Sequence, residues 1–356
     1  MNKERNIYFD ILRGFFIFLA LWQHYAYFLN VYFIDYFRES EIVSLFYKNF
    51  YEQVQLTQNY LPTDALSVWA SNTFTPFVSQ VFLTLACFNL AKHHEEFKKV
   101  FASKIKLFLA IFVFFYFENI LVATSAGDAL SLNPINTWMI VLICISALYY
   151  VFDYKFLFFA IPISLFLVGD YDFGMESYFR DIFHPDFTID ASPHYFFPSA
   201  FVGFALGLIN LKNRHWFKLL LPAFVLIFLV GKIFGPEYST ANFDVFLNEH
   251  LKAVTILGTF EIIGTQGILI CLSWVLPQKN ILKTFQYVGR ESIFIFAMHR
   301  VFFLKLWMPL YIHGVLLLGF NLTNNFVLIW TSIVLNVLFC LSLKKSGIIK
   351  KIMGDK

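Results

Sequence analysis

Long apolar runs recur along this chain from Ile7 to Leu343, each close to the ~20 residues that an α-helix needs to cross a bilayer. Hydrophobic residues make up 58% of the 356 and charged residues only 14%. A soluble domain carries about 45–50% apolar and about 25% charged residues, so a water-soluble globule is excluded. The chain reads as an all-α integral membrane protein of about ten transmembrane helices, forming one membrane domain over residues 1–356. The predicted spans are 7–29, 74–91, 105–123, 135–152, 156–168, 195–211, 216–235, 251–276, 291–308 and 324–343.

Charge placement fixes an expected direction. With the N-terminus cytoplasmic, the inner segments hold Lys3, Arg5, Lys92, Lys98, Lys99, Lys104, Lys106, Lys155, Lys212, Arg214, Lys218, Lys279, Lys283, Arg290 and the lysines of the C-terminal tail. The outer segments hold only Arg38, Lys48, Arg180, Lys232, Lys252 and Lys305. The positive-inside rule asks for this asymmetry and predicts an N-in, C-in chain. The outer segments 30–73 and 169–194 are acidic, which reads either as solvated loop surface or as a vestibule for a polar, non-anionic acceptor.

Ionisable residues within the spans are few: Asp10, Arg13, His24, Glu118, Glu261, His299 and Arg300. A charge at bilayer depth costs several kcal/mol, so each marks a candidate site. Arg13 and His24 lie eleven residues apart, almost three whole helical turns, which puts them within roughly 20° of one face and about 16 Å apart. Asp10 falls on the same side of that helix, and Gly14 beside it would let a neighbouring helix approach closely. A neutral imidazole suits general-base work on a hydroxyl, and a guanidinium suits phosphate or carboxylate. Asp10 either neutralises Arg13 or joins the site. Glu118 and Glu261 are candidates to orient His24 or hold a proton, with structural pairing as the alternative. His299 either lines the same cavity or packs a helix.

The lysines of segment 92–106 read as topology and anionic-lipid attraction, and as a landing site for the phosphates of a cytoplasmic donor. Cys87, Cys144, Cys271 and Cys340 all fall in apolar spans without CxxC spacing, so they read as packed small hydrophobes rather than metal ligands or a disulfide framework. Nothing points to a metal or to nucleic acid, and the Walker A, GxSxG and HExxH signatures are absent.

Arg5, Asp10-Ile-Leu-Arg13-Gly14 and His24 resemble the first helix of the acyltransferase 3 family of integral membrane acyltransferases. Gly289-Arg290-Glu-Ser292-Ile-Phe-Ile-Phe-Ala-Met-His299 resembles that family's penultimate-helix pattern of glycine, serine and histidine. The Asp-x-x-Arg-Gly opening is shared with the heparan-glucosaminide N-acetyltransferase-like group. One departure is that Lys98, Lys99, Lys104 and Lys106 stand where the family places an Arg-x-x-Arg pair.

The resemblance implies a bacterial inner-membrane O-acyltransferase that modifies envelope polysaccharide. An acyl group, acetyl above all, would pass from cytoplasmic acyl-CoA as co-substrate to a hydroxyl of an extracytoplasmic glycan or lipid-linked sugar. No permanently bound cofactor is implied. His24, Arg13 and Glu118 would be catalytic, with Asp10, Glu261 and His299 in support. Arg5, Lys98, Lys99 and Lys104 would bind the donor. The alternative reading is a proton-coupled secondary transporter of a small polar solute, built on Asp10, Glu118 and Glu261.

Overall fold

A computed structural model of the chain describes residues 6–30, 78–91, 96–122, 130–168, 193–212, 215–235, 255–276, 282–311 and 325–346. The described residues form helices and no strands: α1 (Ile7–Asn30), α2 (Val78–Ala91), α3 (Phe97–Val122), α4 (Pro134–Phe152) and α5 (Leu157–Leu167). They continue with α6 (Phe197–Lys212), α7 (Trp216–Phe234), α8 (Ile256–Val275), α9 (Lys283–Arg290), α10 (Ser292–Arg300) and α11 (Asn325–Lys345). Every predicted span contains one of these helices. Among the described residues, six stretches are long and apolar enough to cross a membrane: Phe97–Val122, Pro134–Leu167, Trp216–Phe234, Ile256–Val275, Ser292–Tyr311 and Leu328–Lys345. The chain is thus an all-α, multi-pass membrane protein. The 24-residue α1 stands outside this set because Asp10, Arg13, Gln23 and His24 lower its hydropathy.

The chain divides into two compact units. The first comprises residues 1–9 and 72–281, and the second residues 10–71 and 282–356. Helix α1 opens in the first unit. There the Asn6 side chain accepts from the Tyr8 N–H at 2.9 Å and donates to the Ser273 carbonyl at 3.1 Å. Phe9 sets its ring edge-on against Phe88 and Trp274.

Close backbone approach organises the rest of the first unit. Between α2 and α6, a Cβ at Gly203 or Gly207 would collide with the carbonyls of Thr84 and Phe88. The Ser199 hydroxyl donates to Gln80 Oε1 across the same pair. Between α7 and α8, Gly231 faces the backbone of Leu257 and Glu261, and Gly264 faces Phe228. Lipid tails are as apolar as leucine, so helices in a bilayer associate through this dispersion contact at small residues and through buried hydrogen bonds. Most of α8 is buried and most of α7 is not, so within this unit α8 packs inward and α7 turns largely outward.

Two features depart from the reading of the sequence. Helix α3 begins at Phe97 rather than near 105, so Lys98, Lys99 and Lys104 ride on its first turns instead of a loop. Lysine is a good helix former, and its stem lies along apolar surface while the ammonium reaches outward. Lys98 Nζ accordingly stands 6.0 Å from the Tyr150 ring centroid. Residues 135–152 and 156–168, read as two spans, lie on α4 and α5, which a 3₁₀ turn at Asp153–Phe156 joins into one apolar stretch, Pro134–Leu167. Helix α4 starts at a strong cap, with Asn133 Oδ1 accepting from the N–H groups of Ile135 and Asn136 and proline at the first helical position. It stops at Asp153, whose positive φ of 53° cannot continue a right-handed helix.

In the second unit α1 crosses α9 at two glycines. A Cβ on Gly14 would strike the Phe285 carbonyl, and one on Gly289 would strike the Asp10 carbonyl. Beyond α10 the helix loosens into a π segment, Val301–Trp307, before resuming to Tyr311. This stretch packs on α11, where Trp307 Nε1 donates to Ser332 Oγ at 2.7 Å. Glu291 pairs with Lys344.

Candidate functional site

The side chains singled out in α1 fall into two groups, both in the second unit. The first group surrounds Asp10, which is only 1% exposed. One turn on, Arg13 places Nη1 3.6 Å from Asp10 Oδ1. From α9, Arg290 places Nε 3.5 Å from Oδ2. The carboxylate is therefore shared between two guanidinium groups. The close Gly14–Phe285 and Gly289–Asp10 backbone contacts hold α9 near enough for Arg290 to arrive. Arg13 and Arg290 are partly exposed, at 22% and 44% of their side chains. Arg5 lies outside the described residues.

The second group lies about 16 Å further along α1, where the helical repeat returns His24 to the Arg13 face. His24 Nδ1 and His299 Nε2 are 3.0 Å apart. The two rings meet edge to face with centroids 4.8 Å apart. His299 is 2% exposed, and its Nδ1 donates to the carbonyl oxygen of Phe296 in its own helix. The Phe296 ring stacks on His299 at 4.5 Å and meets His24 edge-on at 5.3 Å. Tyr25, fully buried, donates to the His299 carbonyl at 3.5 Å and stacks on Phe303 at 4.3 Å. Both imidazoles are thus fixed by aromatic walls and by hydrogen bonds. The π segment starts two residues after His299, and π segments inside helices occur frequently at functional sites.

Of the residues the sequence singled out, the structure brings Asp10 to Arg13 and His24 to His299. Glu118 and Glu261 belong to the first unit. At His24 Nδ1 it is His299 that stands in an orienting position. Glu118, 4% exposed, sits near the C-terminus of α3 beside Asn119, whose amide donates to both the carbonyl and the hydroxyl of Ser131 at 3.0 Å. Glu261 lies 3.6 Å from Lys232 Nζ across the tight α7–α8 pair. That is the structural pairing weighed for it, with lysine in place of arginine. Lys98 and Lys99 are exposed and Lys104 half-buried on the first turns of α3. The acidic segments 30–73 and 169–194, proposed as a vestibule, lie outside the described residues apart from Asn30, Pro193 and His194.

Arg290 is the functional candidate that the sequence left among the inner loop charges. Its signal was present in the Gly289-Arg290 step, since a glycine there permits the close crossing that delivers the arginine. Among the described residues no group of three or more His, Cys, Asp or Glu side chains is placed to hold a metal ion. The cysteines are free thiols, with Cys87, Cys271 and Cys340 buried and Cys144 half-buried. No protein-family model, curated protein or solved structure matches this chain.

Proposed function

We propose that this protein is a membrane O-acyltransferase. It takes an acyl group, acetyl in the simplest case, from cytoplasmic acyl-CoA and delivers it to a hydroxyl of an extracytoplasmic glycan or lipid-linked sugar. The observation that carries this reading is the two-ended face of α1. An arginine–carboxylate group stands at one end, an imidazole pair stands about 16 Å away, and α9 and α10 of the same unit engage both. A scaffold has no use for two such groups at membrane depth, where each ionisable side chain is expensive.

In this reading the ten apolar segments are ten spans with both termini inside, and the membrane is the bacterial plasma membrane. Arg13 faces the cytoplasmic donor, with Arg5 and the lysines of α3 adding positive charge on that side. His24 Nε2 takes the proton of the acceptor hydroxyl as its oxygen attacks the thioester carbonyl carbon. The new C–O ester bond forms and the C–S bond breaks. The departing sulfur takes the proton from Nε2 and leaves as free coenzyme A, restoring neutral His24. A guanidinium is also suited to stabilise charge that develops on the carbonyl oxygen.

Purified protein in liposomes, supplied with radiolabelled acetyl-CoA and an envelope glycan fraction, tests the reading. Wild-type protein transfers label to the glycan. His24→Ala protein, inserted normally, transfers it at least about 10²-fold more slowly, the lower end of what a general base contributes. Transfer by that variant at the wild-type rate overturns the proposal. Proton-driven solute uptake without label transfer favours the transporter.

A further inference from the structure

We infer that His299 is a positioning residue that locks His24 in its Nδ1–H tautomer, leaving Nε2 as the basic nitrogen of the site. The inference rests on the acyl-transfer reading for its catalytic consequence, while the tautomer follows from the hydrogen bonds alone.

A carbonyl oxygen only accepts, so the His299 nitrogen bonded to the Phe296 carbonyl must carry its proton. In a neutral imidazole the other ring nitrogen then carries a lone pair, which makes His299 Nε2 an acceptor. His24 Nδ1 lies 3.0 Å from it and must supply the proton of that bond. A neutral His24 is left with an unprotonated Nε2. Two neutral rings thus inherit their protonation pattern from one main-chain carbonyl, which no side-chain substitution at Phe296 removes.

The anchor is well placed to hold. His299 follows Phe296 by one helical turn, so the imidazole reaches back to a carbonyl of α10 itself. The Phe296 ring stacks on His299, and the Tyr25 ring stacks near it with centroids 6.3 Å apart. Rotation of His299 would break ring contacts as well as the hydrogen bond. When His24 Nε2 gains a proton, the resulting imidazolium still donates through Nδ1 to the His299 lone pair. A charged donor strengthens such a bond. His299 therefore steadies the charged form without taking the proton itself.

Two measurements test the assignment separately from the reading it rests on. The first is nitrogen NMR of protein labelled with ¹⁵N-histidine in nanodiscs, with the His24 and His299 signals assigned by their loss in His24→Asn and His299→Asn protein. Both residues should show a protonated Nδ1 and a bare Nε2, and a protonated Nε2 on neutral His24 overturns the inference whatever the activity. The second is kinetic. His299→Ala should lower kcat about 10²-fold with KM for acyl-CoA unchanged, and His299→Gln, whose amide oxygen can accept the same proton, should recover about tenfold of that loss. Wild-type turnover in folded His299→Ala protein, alongside inactive His24→Ala protein, overturns the positioning role and leaves acyl transfer standing. Full activity in His24→Ala protein removes the reading instead. Unchanged ¹⁵N signals of His24 in His299→Ala protein also count against the inference.

Discussion

Asp10 answers two arginines at once, and this arrangement decides how the site responds to single substitutions. Removing Arg290 leaves the carboxylate its Arg13 contact at 3.6 Å, whereas removing Asp10 takes the anion from both guanidiniums. Asp10→Asn should therefore destabilise the protein by about 1–3 kcal/mol, and Arg290→Gln by less, because both arginines are partly exposed and water screens them. Thermal unfolding of the two variants in nanodiscs checks the order. An Arg290→Gln protein melting below Asp10→Asn would contradict it. Much of this chemistry was legible from spacing, since an eleven-residue interval aligns Arg13 with His24 and a three-residue interval aligns Asp10 with Arg13. The partner of His24 was not legible. Pairing His24 with His299 depends on how α10 meets α1 in space, and helical periodicity carries no information on contacts between helices.

At the scale of the element, the α1–α9 crossing depends on two positions without a side chain. A Cβ at Gly289 would meet the Asp10 carbonyl, and one at Gly14 the Phe285 carbonyl. Neither neighbour is the flexible end of a side chain, so the helices themselves must move apart. Gly289→Val should cost about 1–3 kcal/mol and also withdraw Arg290 from Asp10. A lowered melting temperature together with weaker acyl-CoA binding checks this, and wild-type values for both would contradict it. The long apolar helices were readable because their hydropathy is set by composition alone. Three features were not readable for related reasons. Helix α9 is short and polar enough to look like a loop, although its Gly289 is what matters. The lysine-rich start of α3 looks like a loop because charge usually marks water, yet lysine stems lie along a helix as easily as beside one. The π segment after His299 has no compositional mark, because Val301–Trp307 is as apolar as the α-helical turns around it.

On the scale of the whole molecule, the exposed apolar side chains of α3, α5 and α7, such as Leu121, Phe158 and Leu226, present the surface that lipid must cover. The proposed ten-span topology predicts opposite sidedness for two sites. Lys98→Cys should react with an impermeant maleimide only from the cytoplasmic side, and Asp172→Cys only from the outside. The native thiols should stay silent, since Cys87, Cys271 and Cys340 are buried and Cys144 is half-buried. Labelling of both engineered sites from one side would contradict the topology. Everything then converges on whether the polar face of α1 carries an acyl group across. Mass spectrometry of envelope glycans from cells producing wild-type or His24→Ala protein, in a strain lacking the native gene, tests this most directly. Acyl transfer along α1 requires ester-linked acyl groups to be restored by the wild type and absent with His24→Ala at equal membrane abundance. Equal acylation in both strains, or in neither, would contradict it.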